Sequence, residues 1–390
     1  VTIGVLVNPV AGIGGPAGLG GSDGADVQQR ARQRGGRARA GERAALALRT
    51  LAAAHPDAEL LTVAGAMGED AARASGLHAS VVAGAACTPD RGPGTTAADT
   101  TRAAAALARA GARLVLFAGG DGTARDVAAG LPADVPMLGI PAGVKMYSGC
   151  FAVGPSAAGT LAADWLDGAA ATAPAEILDL DEDALRAGRP DPKLFAIREV
   201  PFVPGRTQAR KASTPSSERD AVHRAARGVV ARMRPDVRYL IGPGTTTTEV
   251  GRILGLELSP LGLDLVEDGR LLARDLSETD ALAAVRGGAA DAVITVIGGQ
   301  GFLLGRGNQQ LSADVVRALS ENGSRPRIDV VATEQKLIDL GGRPLLVDTG
   351  DPVLDATLSG HVSVITGITT TSVYPVRAVA DTAPISKGTQ

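Results

Sequence analysis

Aromatic side chains are nearly missing from this 390-residue chain: five Phe, three Tyr and one Trp amount to 2% of it. Such scarcity excludes two ways of working. Proteins that coat nucleic acid interleave aromatics with basic runs; no such blocks occur here, and the net charge is −3, which offers nothing to a polyanion. Proteins that lie on a membrane carry apolar or aromatic anchors on an amphipathic segment, and none is readable. Cysteine is equally scarce. Cys87 and Cys150 cannot build a disulfide framework, and their spacing matches no zinc pattern. His55, His78, His223 and His361 are scattered without metal-ligand spacing. No apolar run reaches the roughly 18 residues a bilayer span requires, and no N-terminal signal peptide is visible, so a cytoplasmic protein is expected.

What the chain has instead is Ala and Gly. Apolar residues make up 45% of it and Gly alone contributes 51 positions. A core of Ala, Val and Leu suits close packing of helices on sheets, although a GC-rich genome gives the same bias. The length allows two domains with separate cores. Basic residues cluster at Arg30–Arg43 and at Arg206–Lys211, where they read as a solvated helix face and a solvated loop.

The first third alternates strand and helix. Val1–Val7 reads as a strand running into Asn8-Pro9 and a glycine-rich loop from Gly12 to Gly24. Ala40–Ala54 and Thr95–Ala110 have helical spacing, the latter opened by Thr and Asp caps and closed by Gly111. Strands are expected at Glu59–Val63, Ala79–Val82, Arg113–Phe117 and Pro136–Ile140, with a short helix at Glu69–Ala74 and another from Thr123. This alternation predicts a parallel sheet covered on both faces. Beyond residue 145 the rhythm changes: strands of another kind at Glu176–Leu180 and Lys193–Val200, an exposed loop at Pro201–Ser217, a helix at Glu218–Met233. Residues 237–297 again alternate strand and helix, and four further strands follow before a tail. The expected organisation is an N-terminal α/β nucleotide-binding domain over 1–145, a β-rich second domain over 146–377 with an α/β insertion at about 237–297, and a tail at 378–390.

One stretch concentrates chemistry. Leu114 to Ala118 end a buried strand, and Gly119-Gly120-Asp121-Gly122-Thr123 turn it into a helix that Thr123 could cap. Ligands of open parallel sheets bind beyond the carboxyl ends of the strands, where this turn falls. Glycines let backbone approach an anion, and the amides of a helix start attract negative charge. An acid in such a turn is a poor choice for binding phosphate alone. It makes sense if Asp121 accepts a proton from a hydroxyl or positions a magnesium ion.

This motif resembles that of the superfamily of NAD kinases, diacylglycerol kinases and sphingosine kinases, and in particular the ATP-NAD kinase-like branch associated with acetoin catabolism. Val7-Asn8-Pro9 with Gly12 and Gly14 is similar to the first-strand signature of those families, and Gly139-Ile140-Pro141-Ala142-Gly143 to their second glycine turn. The resemblance extends over residues 1 to about 377. It implies a two-domain kinase in which Asn8, Gly119, Gly120, Gly122, Thr123 and Asp126 bind the phosphates of Mg2+-bound ATP. Asp121 would act on the hydroxyl to be phosphorylated, most simply the adenosine 2′-hydroxyl of NAD, giving NADP. Homo-oligomers, common among NAD kinases, are implied as well. Two departures stand out: the Asn-Glu pair of NAD kinases is replaced by Arg125-Asp126, and the chain is longer around 237–297. A different small hydroxyl compound as acceptor, or a non-catalytic nucleotide-binding role, stays open.

Further candidates surround this centre. Lys145 and Ser148 follow the second glycine turn and could meet a phosphate. Gly244, Thr245, Thr246 and Thr247 follow a strand and precede a helix expected at Thr248–Leu254, a plausible anion nest. Gln300, Arg306 and Asn308 belong to a glycine-rich run after the strand ending at Val296 and offer hydrogen bonds and one cation to a nucleotide or sugar phosphate. By contrast, Gly12 to Gly18 is too long a loop for a dinucleotide fingerprint, with no acidic strand end at the right distance. Asp348 and Asp351 read as turn formers and caps, with a weak metal option.

Overall fold

The computed structural model describes residues 2–19, 25–83, 95–143, 146–179, 193–202, 218–297, 300–320 and 325–379. Cys87, Lys145, the 206–211 basic cluster, most of the 201–217 loop and the tail lie outside the described residues.

The N-terminal half runs β1 (Ile3–Val7), α1 (Ala25–Gln33), α2 (Ala40–Ala54), β2 (Leu60–Thr62), a single 3-10 turn (Gly65–Met67), α3 (Glu69–Ser75) and β3 (Ala79–Val81). It continues with α4 (Ala97–Arg109), β4 (Leu114–Gly119), α5 (Asp121–Gly130), β5 (Met137–Pro141) and α6 (Pro155–Leu166). Its five strands pair in the order β3-β2-β1-β4-β5, all parallel. Every residue of β1, β4 and β5 is buried, as strands covered by helices on both faces require. The strand order reverses direction between β1 and β4. A crevice for ligands is expected outside the carboxyl ends of those two strands, and Asn8 and Gly119–Asp121 occupy that position.

Local sequence explains the helix bounds. Thr96 caps α4 through a reciprocal pair, its hydroxyl accepting from the Asp99 amide while the Asp99 carboxylate accepts from the Thr96 amide. Gly111, at φ 100°, then turns the chain away. α5 starts two residues earlier than the sequence suggests: Gly120 is its N-cap and Asp121 its first residue. Thr123 therefore does not cap. It is buried inside the first turn, and its hydroxyl accepts from Asn8 Nδ2 at 3.0 Å.

A two-stranded antiparallel hairpin, β6 (Ala171–Asp179) and β7 (Lys193–Phe202), leads into the second half. There follow α7 (Arg219–Val230), β8 (Arg238–Ile241), α8 (Thr245–Leu254), β9 (Asp264–Glu267), β10 (Arg270–Ala273), α9 (Glu278–Arg286), β11 (Ala290–Thr295) and β12 (Phe302–Leu304). The chain ends in α10 (Ala313–Ala318), β13 (Ile328–Val331), α11 (Glu334–Ile338), β14 (Leu345–Val347), α12 (Pro352–Leu358), β15 (Gly360–Ile365) and β16 (Thr371–Ala378). The second sheet has nine strands in the order β10-β9-β8-β11-β13-β15-β16-β14-β12, mixed in direction. Residues 237–297, expected as an α/β insertion, supply β8 to β11. These join the sheet through the parallel β11–β13 ladder, in which Ala292 to Thr295 pair with Ile328 to Val331.

The two halves share packing. Phe302 and Leu346, from the second half, are buried in the first hydrophobic core with Phe117, Phe151 and Leu161. Leu161 lies on α6, which packs along α2; Gly159 makes this approach close, since a Cβ there would stand 2.2 Å from the Ala47 carbonyl oxygen.

Candidate functional site

Asp121 sits at the first position of α5, where a carboxylate is favoured by the helix dipole. Its side chain is partly buried and reaches across to the segment after β5: Oδ2 accepts the Tyr147 amide at 2.7 Å and Oδ1 the Ser148 amide at 3.0 Å. Two backbone donors thus fix both oxygens. The charge is felt nearby. Burial first, and then the Asp121 carboxylate, push the Tyr147 hydroxyl up to about 12. The same two causes in the same order hold the buried Cys150 thiol well above its usual value.

The glycines of the turn serve close packing. A Cβ on Gly119 would lie 2.3 Å from the Thr123 Cβ, and one on Gly120 would meet the Gly143 Cα at 3.1 Å. The Gly119 carbonyl accepts the amides of Ala142 and Gly143 at 2.9 and 3.1 Å, so the two glycine turns are laced together. Asn8 closes the arrangement from β1: its amide nitrogen donates to Thr123, and its Oδ1 accepts the Val10 amide at 3.2 Å. Asp126, one turn along α5, pairs with Arg125 at 3.2 Å.

The other expected residues fall in three groups. Ser148 brings its amide to Asp121, but its hydroxyl is buried and engaged with the backbone of Leu178, accepting from the amide at 3.0 Å. Gln300 is buried and donates to the Met146 carbonyl at 2.6 Å, tying the end of β11 to the segment that holds Asp121. Asn308 folds its own loop, accepting from the Gly305 amide at 3.1 Å and donating to the Leu303 carbonyl at 2.7 Å. The Gly244–Thr247 stretch follows β8, the strand next to β11. α8 begins at Thr245, again earlier than expected, with Gly244 at the N-cap. Thr247 and Thr248 hydroxyls both donate to the Gly244 carbonyl, at 2.9 and 2.8 Å. Thr246 is buried and accepts from Lys336 Nζ at 3.4 Å, a cation on α11 that the sequence did not single out.

Arg306 opens a feature that sequence reading missed. It is 3% exposed, stacks its guanidinium 4.6 Å from the Phe302 ring centroid, and donates to the Val153 carbonyl at 3.0 Å across the two halves. Burial, the dominant cause, pushes it down to about 9, against the opposing pull of Asp348; it remains a cation at neutral pH. Asp348, expected as a turn former, is 8% exposed and forms an ion pair with Arg306 at 3.4 Å. It also pairs with both terminal nitrogens of Arg43. Burial alone would raise the Asp348 carboxyl; Arg43, Arg306 and Arg39 override it and hold the carboxyl below its usual value. Arg39 and Arg43 come from the cluster expected to be a solvated helix face. Arg43 is instead turned inward, donating to the Pro141 carbonyl beside the second glycine turn. Asp351 does cap α12, accepting the Val353 and Leu354 amides at 3.0 Å each.

Among the described residues no cluster of His, Cys, Asp and Glu is arranged to hold a metal. No helix among the described residues is long and apolar enough to cross a membrane.

A parallel α/β domain and a strand-rich mixed sheet, joined by a shared core with a carboxylate held at the first sheet's switch point, define a two-domain α/β protein. The chain belongs to the ATP-NAD kinase family: the ATP-NAD kinase N-terminal domain matches residues 3–170 and the ATP-NAD kinase C-terminal domain matches residues 234–376. No curated protein and no solved structure matches it. At the level of the family, membership brings kinase chemistry on an NAD-like substrate.

Proposed function

We propose that the protein transfers the γ-phosphoryl group of Mg2+-bound ATP to the adenosine 2′-hydroxyl of NAD. The observation that carries the reading is Asp121: a carboxylate just beyond the carboxyl end of β4, at the first position of α5, with both oxygens held by the Tyr147 and Ser148 amides. A hydroxyl donating to Asp121 is oriented for attack and can pass its proton to the carboxylate as the new O–P bond forms and the bond to ADP breaks. Phosphoryl transfer asks little covalent work of a protein; positioning and charge neutralisation supply most of the rate. The amides that open α5 suit phosphate oxygens; Gln300, which donates to the Met146 carbonyl next to the Asp121-holding amides, and Thr245 are proposed for the acceptor side. Lys145 is proposed as a further phosphate-neutralising cation.

An acceptor panel tests this. ATP is incubated with NAD, NADH, sugars and polyols, and ADP release is followed with each. Release coupled to phosphorylated NAD is the expected result; release only with a different alcohol would sink NAD as the acceptor.

A further inference from the structure

The peptide group that links Met146 to Tyr147 is gripped at both ends. Its N–H donates to Asp121 Oδ2 at 2.7 Å, and its C=O accepts from Gln300 Nε2 at 2.6 Å. In a trans peptide these two groups point in opposite directions. Asp121 and Gln300 therefore stand on either side of one amide plane, the first at the start of α5 and the second just after β11 of the other sheet. Gln300 is buried, and its neighbour fixes its place. Gly301 donates its amide to the Ile297 carbonyl at 2.8 Å, and its carbonyl accepts the Leu346 amide of β14, also at 2.8 Å. Phe302 then enters the first core. The second half reaches the same segment at two further carbonyls, Gln309 donating to Gly143 and Arg306 to Val153, both at 3.0 Å. Of these three donors only Gln300 meets a peptide that holds the carboxylate.

We infer that Gln300 is a positioning residue for Asp121, acting through the 146–147 peptide and carrying the placement of the second half to the carboxylate. A donor on the carbonyl polarises the whole amide and strengthens the bond its N–H makes, by about 10–30% per bond in a chain. A side-chain amide suits the task because it donates without bringing a charge beside Asp121. Lys or Arg at the same place would attract the carboxylate directly, and an ionised Glu would have no hydrogen to give. A misplacement of about 1 Å at a reacting centre costs roughly a hundredfold in rate. The second half, by holding this peptide, sets how Asp121 meets an incoming hydroxyl. As a contribution to rate, the inference rests on the kinase reading above; as a hydrogen-bond relay between the two halves, it stands on the geometry alone.

The relay is read by NMR on the full chain with amide-labelled tyrosine. The sequence has three Tyr, and Tyr147 alone follows a Met, so carbonyl-labelled Met added alongside identifies its amide without mutation. In the wild type that amide is expected to resist exchange with solvent; exchange as fast as in an unstructured chain overturns the proposal. Gln300→Met stays close in shape and removes the donor. In it the Tyr147 amide should move upfield and exchange about two- to tenfold faster, while unmoved Tyr239 and Tyr374 signals report an intact fold. Gln300→Glu, an acceptor at neutral pH, should give the same result if Met is not tolerated. Gln309→Met frees a neighbouring carbonyl and should leave the Tyr147 signal in place; an equal shift there would make Gln300 one clamp among several and overturn the assignment. Kinetics supply the second arm. In Gln300→Met, kcat should fall about ten- to hundredfold, with KM for ATP and for NAD within about twofold of wild type. A raised KM for NAD at unchanged kcat would make Gln300 a plain acceptor contact and overturn the proposal. A shifted Tyr147 amide in a protein that phosphorylates no acceptor would uphold the relay and refute the kinase reading. NAD phosphorylation at the wild-type kcat with an unmoved amide in Gln300→Met would do the reverse.

Discussion

Two backbone amides, of Tyr147 and Ser148, hold both oxygens of Asp121, and that has a measurable consequence. Asn in its place keeps one acceptor oxygen but turns an NH2 group toward one of the two backbone donors. Asp121→Asn is therefore expected to lose about 1–3 kcal/mol of stability, read by urea unfolding. Phosphoryl transfer should fall by about a hundredfold or more, read at saturating substrates. A variant destabilised to that extent but still turning over at the wild-type rate would separate Asp121 from the chemistry. The carboxylate itself was legible, since an acid inside a glycine turn at a strand end has few structural reasons to be there. Its holders were not, because a backbone amide carries no residue signature. Arg39, Arg43 and Asp348 were illegible for another reason. Basic residues on a helix are usually solvated, and Asp348 lies 305 positions from the arginine it pairs with, so no local pattern links them.

Among the elements, the helices that flank the candidate site begin earlier than sequence suggests. Both α5 and α8 take Gly at the N-cap and draw Thr residues inside the first turn. Hydroxyls read as caps or ligands instead bond within the fold, Thr123 to Asn8 and Thr247 and Thr248 to the Gly244 carbonyl. Thr96 and Ser277, with an Asp three residues on, were the recognisable kind of helix start. The α2–α6 contact yields a prediction, since α2 bears Arg43. Gly159→Leu must displace the Ala47 carbonyl and should cost about 1–3 kcal/mol in urea unfolding, with Gly159→Ala milder. The α7–α8 contact yields a pH dependence. Arg252 pulls the Glu249 carboxyl down by hydrogen bonding, partial burial opposes it, and His223 adds to the pull, taking it from 4.5 to about 2. A depressed carboxyl stabilises the fold above its ordinary value and loses that contribution as pH falls through the folded one. The stability difference between wild type and Glu249→Gln should hence be constant above pH 4.5 and vanish toward pH 2. A difference that persists at the acid end would remove Glu249 as its source.

For the molecule as a whole, the first sheet was readable because its central strands β1, β4 and β5 are short, wholly apolar runs separated by helix signals. The second sheet was less so: β8 to β11 look like a self-contained α/β unit, and only long-range pairing to β13 makes them part of a larger sheet. What joins the halves is also long-range. Phe302 and Leu346 enter the first core, and Asp348 accepts Arg43 from α2. Removing that carboxylate leaves the buried Arg306 and the partly buried Arg43 without their counter-charge, so Asp348→Ala should destabilise the protein by about 3–5 kcal/mol, seen as an earlier midpoint in denaturant. A shift below about 1 kcal/mol, the range of exposed pairs, would mean the pair is solvated in solution.

The central claim is that a hydroxyl held by Asp121 receives a nucleotide's terminal phosphoryl group. Incubating the protein with γ-labelled ATP and NAD, then separating the dinucleotides, tests it most directly. The account predicts label on the adenosine ribose of the dinucleotide with wild type and almost none with Asp121→Asn. Label that stays in inorganic phosphate, or a labelled dinucleotide produced equally by both proteins, would contradict it.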